Sequence, residues 1–157
     1  MIDRRVPFTD LAPSESELLR RAHAVAPLAF NPVSRFHVGS AVRADDGRVH
    51  CGTFFESSSF PLGVCAESAA LAAAITDGVR AFTTVAVVGG DPHADRPGQP
   101  VTPCGGCRQR IFDLTGAPDR NVVVLCSDLS LSHIYRVHIR DLLPLAFSAK
   151  DLPESIG

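Results

Sequence analysis

A chain of 157 residues is the size of one ordinary domain and is long enough to bury a real core. Hydrophobic residues make up 45% and charged residues 20%, the balance of a soluble globular protein. The formal net charge of −2 offers no long-range attraction to polynucleotide or anionic lipid, so neither kind of partner is expected.

The first five residues run into polar sequence with no apolar signal core behind them. The longest apolar run, around Ala69 to Ile75, is too short to span a bilayer. Both features point to a cytoplasmic protein. Ser14-Glu15-Ser16-Glu17 has the form of a capping box. Leu18, Leu19, Ala22, Val25 and Ala26 follow at helical spacing until Pro27 and Pro32, which predicts a first helix with Arg20 and Arg21 on its wet face. Phe36 to Val42 and Val49 to Phe55 flank Ala44-Asp45-Asp46-Gly47 and read as a β-hairpin. Cys65 to Ile75 is alanine-rich and apolar almost all round, as suits a helix buried against a sheet. Thr83 to Val88 is a buried strand, Gly89 to Thr102 a loop, and helical signals resume after Cys104 through Leu114. Asn121 to Cys126 reads as another buried strand, Ser132 to His138 as an edge strand, and Leu142-Leu143-Pro144 as a closing turn or short helix. This order implies one α/β domain over residues 1–157, with a mixed sheet covered by helices.

Five cysteines in a chain without export signals argue against a disulfide framework. Cys51 and Cys126 lie in apolar, strand-like runs and read as packing residues. The chemistry sits in Val64-Cys65-Ala66-Glu67 and Pro103-Cys104-Gly105-Gly106-Cys107. Two thiolates from Cys104 and Cys107 at the start of one helix, and a third from Cys65 at the start of another, form a half-cage for Zn2+. Three protein ligands leave the fourth tetrahedral position to water. Helix N-termini suit thiolates, because free N–H groups and the helix dipole stabilise negative charge. Glu67, two residues past Cys65, is placed to move protons at the open side without being a ligand. A lone Cys-x-x-C pair is also the mark of a structural zinc knuckle or a redox pair. A structural site, however, needs a fourth convergent Cys or His, and Cys51 and Cys126 supply none.

Cys-x-Glu followed by Pro-Cys-x-x-Cys is the zinc-deaminase pattern. From about Ser14 to Leu152 the chain resembles the cytidine deaminase family in its small, three-cysteine form. Phe30 to Ala41, Gly52 to Phe60, the two cysteine segments and Leu142 to Phe147 carry the likeness. The resemblance implies a three-layer αβα sandwich with a five-stranded mixed sheet, and a homotetramer with shared active sites. It also implies hydrolytic attack at C4 of cytosine with loss of ammonia, Glu67 protonating N3 and then the departing amine. Phe36 would pack on the pyrimidine, Glu56 would accept from the ribose, and the Ala66 backbone would help hold the base. Phe54 stands where the family has an Asn facing the sugar, and Phe can neither donate nor accept there. Ser57 replaces a second Asn, and Ser68 replaces the Arg that follows the catalytic Glu and offsets thiolate charge. Arg108 and the two helix N-termini remain as sources of compensation.

Phe36 and Phe54 also fit as core residues of strands, and Glu56 as a solvated strand-end charge. The six histidines show no ligand spacing with the cysteines, and His93 reads as a surface-loop residue. The expected substrate is a small nucleoside, cytidine or deoxycytidine, in a pyrimidine-salvage role. Phe54 keeps open a modified aminated heterocycle, in the manner of blasticidin S deaminase. A polynucleotide-editing enzyme and a catalytically dead zinc module are the other classes, the first disfavoured by the acidic balance.

Overall fold

The computed structural model of the chain describes residues 5–95, 97–115 and 120–152. The segment read for export signals thus lies almost wholly outside the described residues. The elements are β1 (Arg5–Val6), α1 (Pro13–Val25), β2 (His37–Ala44), β3 (Val49–Thr53), α2 (Ala66–Thr76), β4 (Phe82–Gly90), α3 (Gly105–Leu114), β5 (Val123–Asp128), β6 (Ile134–His138) and α4 (Ile139–Leu142). Among the described residues no helix is long and apolar enough to cross a membrane.

The sheet runs β1-β6-β5-β4-β2-β3, with β4 and β5 parallel and every other pair antiparallel. Alternation along each strand sends side chains to opposite faces, which builds two separate cores. Val42, Val85, Val87, Val124 and Cys126 pack with Ala70, Leu71 and Ala74 of α2 and Ile111 and Phe112 of α3. Ala41, Ala86, Val88 and Leu125 pack on the other face with Leu18, Leu19 and Ala22 of α1. The expected three-layer αβα sandwich is therefore present, but with six strands where five were expected. The sixth, β1, is two residues long and too short to carry a period-two signal. It pairs Arg5 and Val6 with Tyr135 and Ile134, so β6 is not an edge strand there.

One other expectation is corrected. The first helix begins at Pro13, one residue before the Ser14 box, with Ala12 at the N-cap. Alanine has no acceptor to offer, so only half a box forms: the Glu15 carboxylate accepts the Ala12 N–H at 3.4 Å. Glu17 instead accepts from the Arg43 guanidinium on β2 at 2.5 Å. Helix α2 buries Ala66, Ala70, Leu71 and Ala74, but Ala72 and Ala73 are exposed. It is thus buried against the sheet as expected, on one side. Cys126 is fully buried and burial pushes its thiol up to about 12, so it stays protonated and packs as a small hydrophobe.

Gly52 seats α2 on β3. A Cβ there would lie 2.2 Å from the Ala70 amide nitrogen and 2.6 Å from the Ala66 carbonyl oxygen. Backbone cannot rotate aside as a side chain does, so relief requires lifting the helix off the sheet. Overpacking typically costs about 1–3 kcal/mol, and this clash belongs at the upper end. Gly52→Ala is expected to lose about 3 kcal/mol, lowering Tm by roughly 6–12 °C in a chain of this size. A melting curve within two or three degrees of wild type, about the reach of a surface substitution, would show that the contact yields easily.

Candidate active site

The N-termini of α2 and α3 meet on one face of the sheet, and each begins with a cysteine. Cys65 is the N-cap of α2 and Cys104 the N-cap of α3, both in extended backbone before the first helical residue. Cys107 follows in the first turn of α3 and is fully buried, whereas Cys104 is exposed and Cys65 half-buried. The three sulfurs lie within 4.8 Å of one another, and Cys65 Sγ and Cys104 Sγ are 4.0 Å apart. Tetrahedral Zn–S bonds of about 2.3 Å place sulfurs about 3.8 Å apart, so the donor set fits zinc with little movement. Among protein groups alone, a hydrogen bond between Cys65 and Cys107 lowers the pKa of the Cys65 thiol. The same bond, aided by burial, raises that of Cys107.

Glu67 is the second residue of α2 and only 4% exposed. Burial raises its pKa above the usual carboxylate value, partly opposed by hydrogen bonding, including that to Cys107. A carboxylate held this way is a stronger proton acceptor than one in water. Ala66, between Cys65 and Glu67, is fully buried and opens the helix.

The remaining sequence-predicted residues lie on the segment before β2 and the one after β3. Phe36 is 37% exposed, which argues against a core role. Phe54 is half-buried, and its backbone donates to the Val38 carbonyl and accepts from the Phe30 N–H. Glu56 is not a free strand-end charge. Its carboxylate accepts the Val33 N–H at 2.8 Å and the Ser34 N–H at 3.1 Å, and the Ser34 side chain first, then these two N–H groups, hold its pKa below the ordinary value. Asn31 Nδ2 donates to the Phe36 carbonyl at 2.8 Å, and the Phe36 N–H donates to Ser34 Oγ. Glu56 thus fixes the short loop that presents Phe36. His93 is exposed, and its N–H caps onto Asp91 as a surface loop residue would.

Arg108 does not reach the sulfurs. Its guanidinium donates to the carbonyls of Pro103 (2.8 Å) and Leu142 (3.0 Å) and to Thr102 Oγ1, tying the entry of α3 to the end of α4. The cation nearer the sulfurs is Arg110, which the sequence reading did not single out. Its Nη1 donates to Ser68 Oγ at 3.1 Å, and Ser68 Oγ lies 3.7 Å from Cys107 Sγ. The available signal was position: Arg110 is three residues past Cys107 and so shares its side of α3. A separate cavity of about 540 Å³, lined in part by His23, His37, Asp91 and Asp128, touches none of the sulfurs.

Residues 13–126 match the family described as the cytidine and deoxycytidylate deaminase zinc-binding region. The chain is 37% identical over 136 residues to a cytidine deaminase of Sporosarcina psychrophila, covering 87% of this chain and 93% of that one. It is 30% identical over 118 residues to a blasticidin-S deaminase of Bacillus cereus, covering 73% and 79% respectively. The structure superposes on a cytidine deaminase from Burkholderia pseudomallei with a TM-score of 0.73 at 34% identity, covering 83% of this chain and 97% of that one.

Proposed function

The chain belongs to the cytidine and deoxycytidylate deaminase family, and from that premise we propose that it deaminates cytidine and deoxycytidine hydrolytically with zinc. The observation that carries this reading is the convergence of three sulfurs at two helix N-termini, with the buried Glu67 carboxylate within hydrogen-bonding reach of Cys107.

Cys65, Cys104 and Cys107 would hold the zinc, which when bound supplies a Lewis acid that lowers the pKa of water at its open position. The protein's own work is in the protons. Glu67 takes a proton from the attacking water as the new C–O bond forms at C4, and delivers it to N3. It then takes the second water proton and hands it to the amine, so that ammonia leaves and a uracil ring remains. Phe36 packs against the pyrimidine, on a loop that Glu56 holds in place. The Ala66 backbone at the helix start meets the base. Glu56 spends two bonds on Val33 and Ser34, and a carboxylate has about four lone-pair sites, so capacity remains for a ribose hydroxyl.

Phe54 favours a second substrate reading, because it offers no polar group where a sugar would need one. A hydroxyl left buried and unpaired costs about 1–3 kcal/mol, equivalent to roughly a 5-fold to 150-fold loss in binding. A small panel read by ultraviolet absorbance separates the two. Turnover of cytidine and deoxycytidine is expected, with a raised KM. Inert cytidine beside rapid turnover of a cytosine nucleoside antibiotic would transfer the assignment to the resistance class, away from pyrimidine salvage.

A homotetramer is part of the proposal. Phe30, Phe60, Leu62 and Phe147 are each more than 60% exposed, an apolar load consistent with burial against further copies. A single-domain, cytoplasmic enzyme is proposed as well, since unpaired thiols are kept in reducing compartments.

A further inference from the structure

Three thiolates around a divalent cation carry a net charge of −1, and one of them, Cys107, is fully buried. Buried charge of this kind is stabilised by a hydrogen-bond donor at the sulfur and by positive charge nearby. The residue placed at the sulfur is Ser68, whose Oγ lies 3.7 Å from Cys107 Sγ. Behind it stands Arg110, whose Nη1 donates to the same oxygen at 3.1 Å. An N–H directed at a hydroxyl occupies one lone pair, and leaves the hydroxyl proton to point elsewhere. A zinc-bound thiolate can only accept, so the hydroxyl is the donor to it, and Arg110, Ser68 and Cys107 then form a directional chain that ends on the sulfur.

The local geometry explains how an exposed arginine reaches this position. Helical side chains lean towards the N-terminus of their own helix, so Arg110 folds back over the first turn of α3. It passes Gly106, where even a single methyl would stand 3.9 Å from its Nη1. The other guanidinium of this helix, Arg108, is committed to the Pro103 and Leu142 carbonyls and cannot serve.

We infer that Ser68 and Arg110 are a positioning pair that stabilises Cys107 as a zinc-bound thiolate, Arg110 acting through the Ser68 hydroxyl. The inference rests on the reading of the three cysteines as zinc ligands. Loss of an outer partner of a ligand typically costs 10–100-fold in metal affinity. Because Arg110 is solvent-exposed, the lower end applies.

The test is zinc release from the loaded protein into excess 4-(2-pyridylazo)resorcinol, for wild type, Ser68→Ala, Arg110→Met and the double variant, with far-UV circular dichroism as a folding control. Each single variant is expected to lose zinc about tenfold faster, and the double variant no faster than either. Arg110 lies on the surface, so its variant remains informative even if Ser68→Ala folds poorly. Arg110→Met releasing zinc at the wild-type rate would overturn the inference. So would single losses that multiply in the double variant, because the two residues would then act separately. Wild-type protein that holds no zinc would overturn the reading beneath it first, which keeps the two failures distinct.

Discussion

Glu67→Gln is expected to lower kcat by roughly 10³-fold or more, while zinc stays near one per chain. The substitution keeps the shape and length of a side chain that is 4% exposed, so the packing around it is retained. It removes the ability to accept a proton. A positioned acid–base group contributes about 10²–10⁴-fold, and Glu67 is asked to act twice, on N3 and on the leaving amine. The side chain is not a metal ligand in this reading, so metal content and activity separate. That separation is the check: zinc by atomic absorption, turnover by ammonia release. A Glu67→Gln variant keeping about a tenth of wild-type turnover, an order of magnitude above the weakest effect of a lost acid–base group, would remove Glu67 from the chemistry.

The site was more legible in the sequence than the contacts that support it, for a physical reason. Cys65 and Glu67 are two residues apart, and Cys104 and Cys107 three, so the first helical turn alone fixes each pair's relative direction. That both helices begin at one end of the sheet is a property of the fold: β3, β4 and β5 run the same way, and α2 and α3 connect them. The contact of Arg110 with Ser68 spans 42 residues and depends on how α2 and α3 pack, which no local spacing encodes. The same holds for Glu56, whose partners Val33 and Ser34 lie 23 and 22 residues back. Sequence favours Arg108, because it adjoins Cys107. Adjacency on a helix, however, turns a side chain about 100° away from its neighbour's face. That rotation carries Arg108 to the Leu142 carbonyl and leaves Arg110 on the sulfur side. Strand β1 was missed because two residues carry no period.

Cys107→Ala is expected to abolish both stoichiometric zinc and activity, with a loss of at least about 10⁴-fold. Two remaining sulfurs cannot make a tetrahedral half-cage, and Cys104, being exposed, competes with solvent for the ion. Metal in favourable sites brings the pKa of water from 15.7 to about 7. Three thiolates soften that drop, but each unit retained is a factor of ten in hydroxide at neutral pH, so losing the metal costs several powers of ten. Stability should fall too, because binding energy at a site formed only in the folded chain is folding energy. The wild-type protein stripped with dipicolinate should lose the same activity and regain it with added zinc, whereas the Cys107→Ala variant should not respond. Buried Cys107 also holds the end of the Ser68 hydrogen bond, so its loss removes that partner as well as the metal and leaves the hydroxyl with Arg110 alone. Full zinc occupancy in the alanine variant would mean that a different atom completes the donor set. Cys107 would then owe its burial beside Ser68 to packing and not to the metal.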